Sequence, residues 1–559
     1  MGADYMGNHT SMPDIMEEEP RFIMSGKVIL SYIVGVFLIA ILFVFPLYYK
    51  NYYFDILNAK YQFYYISVLS MMGCVVITLI VMLIMDLVKC NGRYTVRFFK
   101  CFAPDNIWNT ITIPDIALFF FLLIATISTL LSDYLYESFW GNEGRFTGLF
   151  LLLLYGISFY IISRLFRFQS WFLDMFIVSS MLVCLLGITD YFHLDPLHFK
   201  DKIDPKQYGI FTSTLGNINT YTAFVSLVIG ITSVLFAAAK KLWKCIWYYI
   251  CFMIAMFAII TGQSDNAYLA LLALFGLLPL YMFKNWSGIK RYAVILASFF
   301  SIIQFIDLIS QIMPERVLEL EGIFSVLVQF RGLAYIVIAL WGLVGVLYLG
   351  RYVLNRPEPE VSKWPKRTWM ILIAMAILTI LFVLYDANVA GNGNRYGVLK
   401  RYVVIDDEWG THRGYIWRLG IENYREFSLL HKIFGYGPDT FGIMTVKNNY
   451  REMVERYNEI FDSAHNEYLQ YFITIGPLGL ISYLVLLVSS VMRLIKKAGD
   501  NPYVVAVAFA VVCYGAQAFV NINLPIATPV MWTLLMAGLA GCRKSNGKLR
   551  ETLDKERYK

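Results

Sequence analysis

The sequence predicts an all-α polytopic membrane protein of about fourteen transmembrane helices, with one large, partly helical extracytoplasmic loop. Three observations predict it. Of 559 residues, 58% are hydrophobic and only 16% are charged, against roughly 25% charged in soluble domains. Apolar runs of about 20 residues, enough to cross a ~30 Å hydrocarbon core, recur from residue 28 to residue 541. The runs are continuously apolar, tolerate Gly and lack the ten-residue alternation of a transmembrane barrel. A soluble enzyme, a nucleic-acid binder and a disordered scaffold are thereby excluded.

In chain order, residues 1–27 form a cytoplasmic N-terminal segment. Residues 28–389 hold about 11 helices, over 28–49, 63–88, 113–131, 146–163, 171–190, 219–239, 242–261, 266–283, 292–311, 323–350 and 369–389. A long loop fills 390–466; three C-terminal helices follow over 468–492, 502–520 and 527–541, within the segment 467–541; and 542–559 is a basic tail. With both termini in the cytoplasm, the inside segments carry 29 Lys/Arg and the short outside loops seven, including Lys60 and Arg145. That asymmetry is what the positive-inside rule expects, so the net charge of +7 reports topology rather than a nucleic-acid partner. No cleavable leader is expected, because the first 20 residues are acidic and the first apolar run is too long. The eight cysteines fall in spans or on the cytoplasmic side without CxxC spacing, which supports neither disulfides nor zinc.

The 390–466 loop breaks the charge rule with ten Lys/Arg of its own, as long outside loops do. Loops of this length usually carry function. Residues His412–Lys432 read as one amphipathic helix, with Arg413, Trp417, Gly420, Tyr424 and Phe427 on one stripe and Arg418, Glu422 and Arg425 on another. Gly435 is a C-cap, and Tyr436-Gly437-Pro438-Asp439 a turn. Asp462 through Gln470 lead straight into the next apolar run, which sets His465 and Asn466 at the outer interface. Each piece also has a structural reading: an interfacial helix on the headgroups, a structural His, a plain turn.

Together these residues carry a resemblance. Arg413-x3-Trp417, Gly435-Tyr436-Gly437-Pro438-x2-Phe441 and Ala464-His465-Asn466-x-Tyr468-Leu469, opening a span with Gly476-x2-Gly479, resemble the large-loop signature of the O-antigen ligase/polymerase family. Gly141-x3-Arg145-x2-Gly148 and Leu215-Gly216-Asn217-x-Asn219 fit as well, so the likeness covers roughly residues 130–540. It implies a GT-C-like glycosyltransferase in the bacterial cytoplasmic (inner) membrane, acting on undecaprenyl-pyrophosphate-linked oligosaccharide at the outer face. One departure stands out: many members have Ser-Arg where this chain has Ser264-Asp265.

The implied reaction is attack of an acceptor hydroxyl on the anomeric carbon of a lipid-pyrophosphate-linked sugar. Such a site needs cations for the pyrophosphate and a base for the hydroxyl proton. Arginine keeps its charge and grips phosphate bidentately, while a neutral imidazole accepts a proton. His465 and Arg413 are therefore the catalytic candidates, and Arg145, Arg418, Asn466, Trp417, Asn217, Asn219 and Tyr436 the substrate-binding ones. Arg145 also reads as an interfacial anchor, Arg418 as a partner of Glu422, and Asp462 as an N-cap or an orienter of His465. Arg331, about eight residues inside a span, is either functional or marks a later span start. Asp190, Asp307 and Asp386 are expected to be solvated span ends, and Asp265 is a candidate for acceptor binding. Asp406-Asp407-Glu408 reads as a solvated turn or a divalent-ion site.

No cofactor, metal or nucleotide is expected. The expected partners are the lipid-linked oligosaccharide, a glycan or other hydroxyl acceptor, the lipid bilayer and a chain-length regulator. Polymerase is the preferred activity; a ligase acting on lipid A core, teichoic acid, peptidoglycan or protein, a lipid-linked oligosaccharide flippase, and a non-catalytic receptor are the alternatives.

Overall fold

The computed structural model describes residues 19–100, 103, 110–354, 361–499 and 501–542. The first 18 residues, Cys101 and most of the basic tail lie outside the described residues. Among these residues, fourteen apolar helices occur where fourteen are expected. In chain order the first eleven are α1 (Arg21–Leu47), α2 (Ile56–Cys90), α3 (Ile113–Leu131), α4 (Leu149–Leu165), α5 (Trp171–Tyr191), α6 (Ile218–Ala238), α7 (Leu242–Thr261), α8 (Asn266–Met282), α9 (Trp286–Ile312), α10 (Leu333–Leu354) and α11 (Trp364–Asn388). In the segment expected to lie outside, called the outer segment for that reason, four helices follow the short turn Lys400–Val403: α12 (Trp409–Glu426), α13 (Leu429–Phe434), α14 (Phe441–Tyr457) and α15 (Glu467–Thr474). The last three apolar helices are α16 (Gly476–Lys497), α17 (Pro502–Gln517) and α18 (Thr528–Gly541). The one sheet among the described residues joins β1 (Phe211–Thr212) and β2 (Gly216–Asn217), antiparallel, just before α6.

The bundle is layered around α6, which is apolar on every side and buried on every side from Thr220 to Phe236. Apolarity alone does not drive helices together in lipid, so close backbone approach has to. Gly230 supplies it: a Cβ there would lie 2.7 Å from the carbonyl oxygen of Phe509 on α17. Ala506 and Ala510, one turn apart and both buried, keep one side of α17 small. At the other extreme, α11 presents exposed Ile371, Leu378, Leu381 and Phe382, the surface of a helix that faces hydrocarbon.

Three expectations are corrected. The run 323–350 is not one helix: Gly322–Val328 ends in a turn, α10 starts at Leu333, and Arg331 sits exposed in the break. A later start spares the charge the hydrocarbon. The run 468–492 also divides, because Gly476 adopts φ +79° and packs on the Ile433 carbonyl, where a Cβ would come within 2.2 Å. Finally, α2 begins seven residues early and takes Lys60 with it. Lys60 is buried and donates to the carbonyls of Phe45 (2.7 Å) and Pro46 (3.2 Å) at the C-terminal end of α1.

The acidic span ends likewise differ from the solvated residues expected. Asp190 is buried, paired with Lys200 at 3.0 Å and bonded by Thr212 Oγ1 and the Ser213 N–H, so it pins the loop before α6. Asp386 is buried under Asn392 (2.8 Å) and Tyr396 (2.9 Å). Asp307 is held by Gln304 and Gln311.

Gly230→Val tests the central contact. Overpacking of this kind costs about 1–3 kcal/mol, so the purified variant should melt several degrees lower in detergent. An unchanged melting curve would show that α6 and α17 do not meet there.

Candidate active site

The outer segment has a hydrophobic core of its own, in which Tyr415, Ile416 and Leu419 of α12 pack against Phe441, Met444 and Met453 of α14. The expected helix 412–432 is two helices. Residues 410–412 are left-handed (φ +61°, +56° and +67°), so the right-handed turns start at Arg413. Ser428 then interrupts the chain and caps α13, its Oγ accepting from the His431 N–H. Gly435 ends α13 as expected, at φ +82°, and its missing Cβ lets the Thr474–Ile475 backbone approach.

A buried carboxylate joins this segment to the bundle. Asp439 Oδ2 accepts the backbone N–H of Asn142 at 2.7 Å and of Thr147 at 3.0 Å, clamping the turn between α3 and α4. Burial pushes its pKa up to about 6 against the pull of those N–H donors. Ser132 Oγ donates to the Tyr436 carbonyl and Ser128 Oγ to the Thr474 carbonyl, both at 2.8 Å, closing the same seam.

The clamped turn carries Arg145. Its Nε donates to Asp462 Oδ2 at 3.1 Å and its Nη2 to the other carboxylate oxygen, a bidentate pair. Asp462 is thus the counter-ion of Arg145, not an N-cap. The cap belongs to Asn466, whose Oδ1 accepts from Tyr468 N and Leu469 N at 3.0 Å and starts α15. Trp417 Nε1 donates to the Ala464 carbonyl at 2.9 Å and holds the strand between them.

That strand presents His465 at φ +46°, partly exposed. Its imidazole makes no hydrogen bond or ion pair with any described residue. Burial first, then the charges of Arg413 and Arg145, lower its pKa to about 3 against the pull of Asp462. The ring is therefore neutral at physiological pH. Arg413 reaches it from α12. The residue is buried (6% exposed), and its guanidinium folds back to the Gly410 carbonyl at 2.7 Å and leaves Nε with no partner. Its nearest carboxylate is Asp265, at 3.7 Å. Burial lowers the Arg413 pKa and Asp265 opposes the shift.

The remaining candidates do other work. Arg418 is not at His465; Asp407 (3.0 Å), Glu422 (3.0 Å) and Glu452 (3.4 Å) hold it. The same Asp407 binds Arg456 at 2.7 Å, and the neighbouring Glu408 accepts from the Tyr457 hydroxyl at 3.1 Å. Tyr436 donates to Asp133 at 2.9 Å and stacks on Phe427. Asn217 caps α6. Asn219 accepts from Ser264 Oγ at 2.5 Å, and its carbonyl accepts from Asn266 and Asn521 at 2.9 Å each. These bonds fix the turn that carries Asp265.

Sequence reasoning missed the Asp439 clamp and a third acid, Glu467. Glu467 is buried, receives the Tyr483 hydroxyl at 2.5 Å and keeps Oε2 without a partner. An acid placed directly before an apolar run was the available signal for it.

Residues 320–484 match the family model described as O-antigen ligase. The matched segment holds α10 to α15, with Arg413, Asp439, Asp462 and His465. The Gly141–Gly148 and Leu215–Asn219 pieces of the resemblance fall outside it. No curated protein matches the chain.

Asp439→Ala strips two buried N–H groups of their acceptor, at about 1–3 kcal/mol for each unsatisfied group. Thermal melting should fall accordingly, whereas Asp439→Asn, which keeps an acceptor oxygen, should stay near wild type at pH 7. Equal losses in both variants would mean that charge, and not the paired acceptance, holds the turn.

Proposed function

We propose, for a chain whose residues 320–484 carry an O-antigen ligase-type domain, that it is a glycosyltransferase of the bacterial inner membrane. It takes glycan from an undecaprenyl-pyrophosphate-linked oligosaccharide at the outer face and passes it to a hydroxyl acceptor, most simply a growing surface polysaccharide. Attachment to a different acceptor is the second form of the same chemistry. With both termini inside, the outer segment faces the leaflet where that donor is displayed.

One observation carries the reading. Arg413 and Arg145 come from opposite halves of the chain, and both press their positive charge on one unengaged imidazole. Such a place suits an anion with a reacting atom beside it. Arg413 offers its unpartnered Nε to a phosphate oxygen, and Arg145, held by Asp462, offers its remaining charge from the other side. The pyrophosphate leaves as a stable, weakly basic group, so charge stabilisation serves in place of a general acid.

His465 is the base. A bound pyrophosphate cancels part of the field of the two arginines, the smaller cause of the lowered pKa beside burial, and so raises the basicity of the imidazole in the complex. The free enzyme holds a ring that neither protonates nor binds a stray carboxylate; the loaded enzyme holds one that accepts the hydroxyl proton as the C–O bond forms. Asn466 and Trp417 keep the ring where it is, and Tyr436 keeps the clamped turn in register.

Transfer from purified lipid-linked donor tests this. His465→Ala should lose about 10²–10⁴-fold in kcat, and Arg413→Ala about 10²–10³-fold in kcat/KM, with both variants inserted and monodisperse. Full-length product from both would overturn the reading. The pH profile gives a second check: the acid limb of kcat/KM, which reports free enzyme, should lie at lower pH than that of kcat. The sign follows from a His465 pKa of about 3 before donor binds and a higher one after. Coincident limbs would exclude His465 as the base.

A further inference from the structure

Arg413 and Asp265 form the least settled charge contact at the site. Three features define it. Nη1 of Arg413 lies 3.7 Å from Asp265 Oδ2, well beyond the roughly 2.7–2.9 Å of a charge-assisted hydrogen bond. The two partners are unequally buried, the arginine side chain 7% exposed and the aspartate 44%. Their footings are rigid: Ser264 is bonded to Asn219, while Asn266 is bonded to Thr222, Asn219 and Gln517. Only the Asp265 side chain is left to move, and it can swing into water.

A buried guanidinium without a counter-ion is costly, and here the chain supplies one that does not bind tightly. We infer that Asp265 is the resident counter-ion of the donor site: it neutralises Arg413 in the empty enzyme, yields it to the pyrophosphate, and reclaims it as the pyrophosphate product departs. The inference rests on the reading that Arg413 holds the donor's pyrophosphate.

The chemistry gives this a use. Donor and product present the same pyrophosphate to Arg413, so unopposed attraction would tighten both alike and hold the product after transfer. A carboxylate that competes for the guanidinium weakens both and speeds release. Asp265 is then a positioning residue that sets turnover through Arg413, with no contact to the reacting atoms.

Binding of undecaprenyl pyrophosphate to the full-length protein in nanodiscs tests the inference, with undecaprenol as the uncharged control. Asp265→Asn and Asp265→Ser should each tighten pyrophosphate binding about two- to fivefold, the size of a half-exposed charge contact. Binding of undecaprenol should not change. Asp265→Glu should stay within about twofold of wild type on the same reasoning. In turnover, both neutral variants should show a lower donor KM, a lower kcat and stronger inhibition by added undecaprenyl pyrophosphate. A purely structural role would not move those three together. If Arg413→Ala abolishes binding while both neutral variants bind as wild type or more weakly, the counter-ion inference is overturned and the anion site stands. If Arg413→Ala binds as wild type, the donor-site reading itself is overturned.

Discussion

The candidate site depends on the carboxylate of Asp439. It sits where the outer segment meets the bundle, and it accepts two backbone N–H groups from a turn about 300 residues earlier in the chain. Arg145 rides on that turn, and Asp462, which holds Arg145, lies three residues before His465. With the Ser128 and Ser132 bonds to the Thr474 and Tyr436 carbonyls, the clamp brings an arginine from the α3–α4 connection to the segment that carries the imidazole. The donors also suit the task. Buried N–H groups in a tight turn have few alternative partners, so one oxygen taking both fixes position and orientation together.

Charge is distributed in the same spirit. The hydrocarbon forces the formal charges of the bundle to its rims or into pairs, as with Lys60 on the α1 carbonyls and Asp190 beside Lys200. The outer segment has no such restriction, yet it pairs most of its charges too: Arg418 and Arg456 share Asp407. Against this background the unpartnered Nε of Arg413 and the unbonded ring of His465 stand apart. They are polar groups held ready at a place where the protein itself offers them nothing.

A transfer reaction from a lipid pyrophosphate needs such a place close to the membrane surface and open to an acceptor. Building it on a separately packed segment, braced on the bundle by Gly435, Gly476 and Asp439, answers both needs. In the proposed reaction the segment would carry the acceptor side in water and the bundle the lipid side.

Much of the fold was legible in the sequence. Among the described residues the apolar runs located fourteen apolar helices, and Gly435 located a helix end. What failed was local and has physical causes. Gly476 looked like one more helix-tolerated glycine, and its positive φ follows only from contact with Ile433. Ser428 looked like part of a helix and is a cap. Arg418 reads in the sequence as a phosphate ligand or as a partner of Glu422; the Glu422 pair is present, and Asp407 and Glu452, which no local pattern ties to it, hold it as well. The sequence by itself determined which segments live in hydrocarbon, because apolar length along one chain is all that insertion reads. Which charges would be spent on one another and which left free was decided only by the tertiary structure. Arg145 and Asp462 lie 317 residues apart, and a Coulomb contact depends on a distance in space that no local pattern contains.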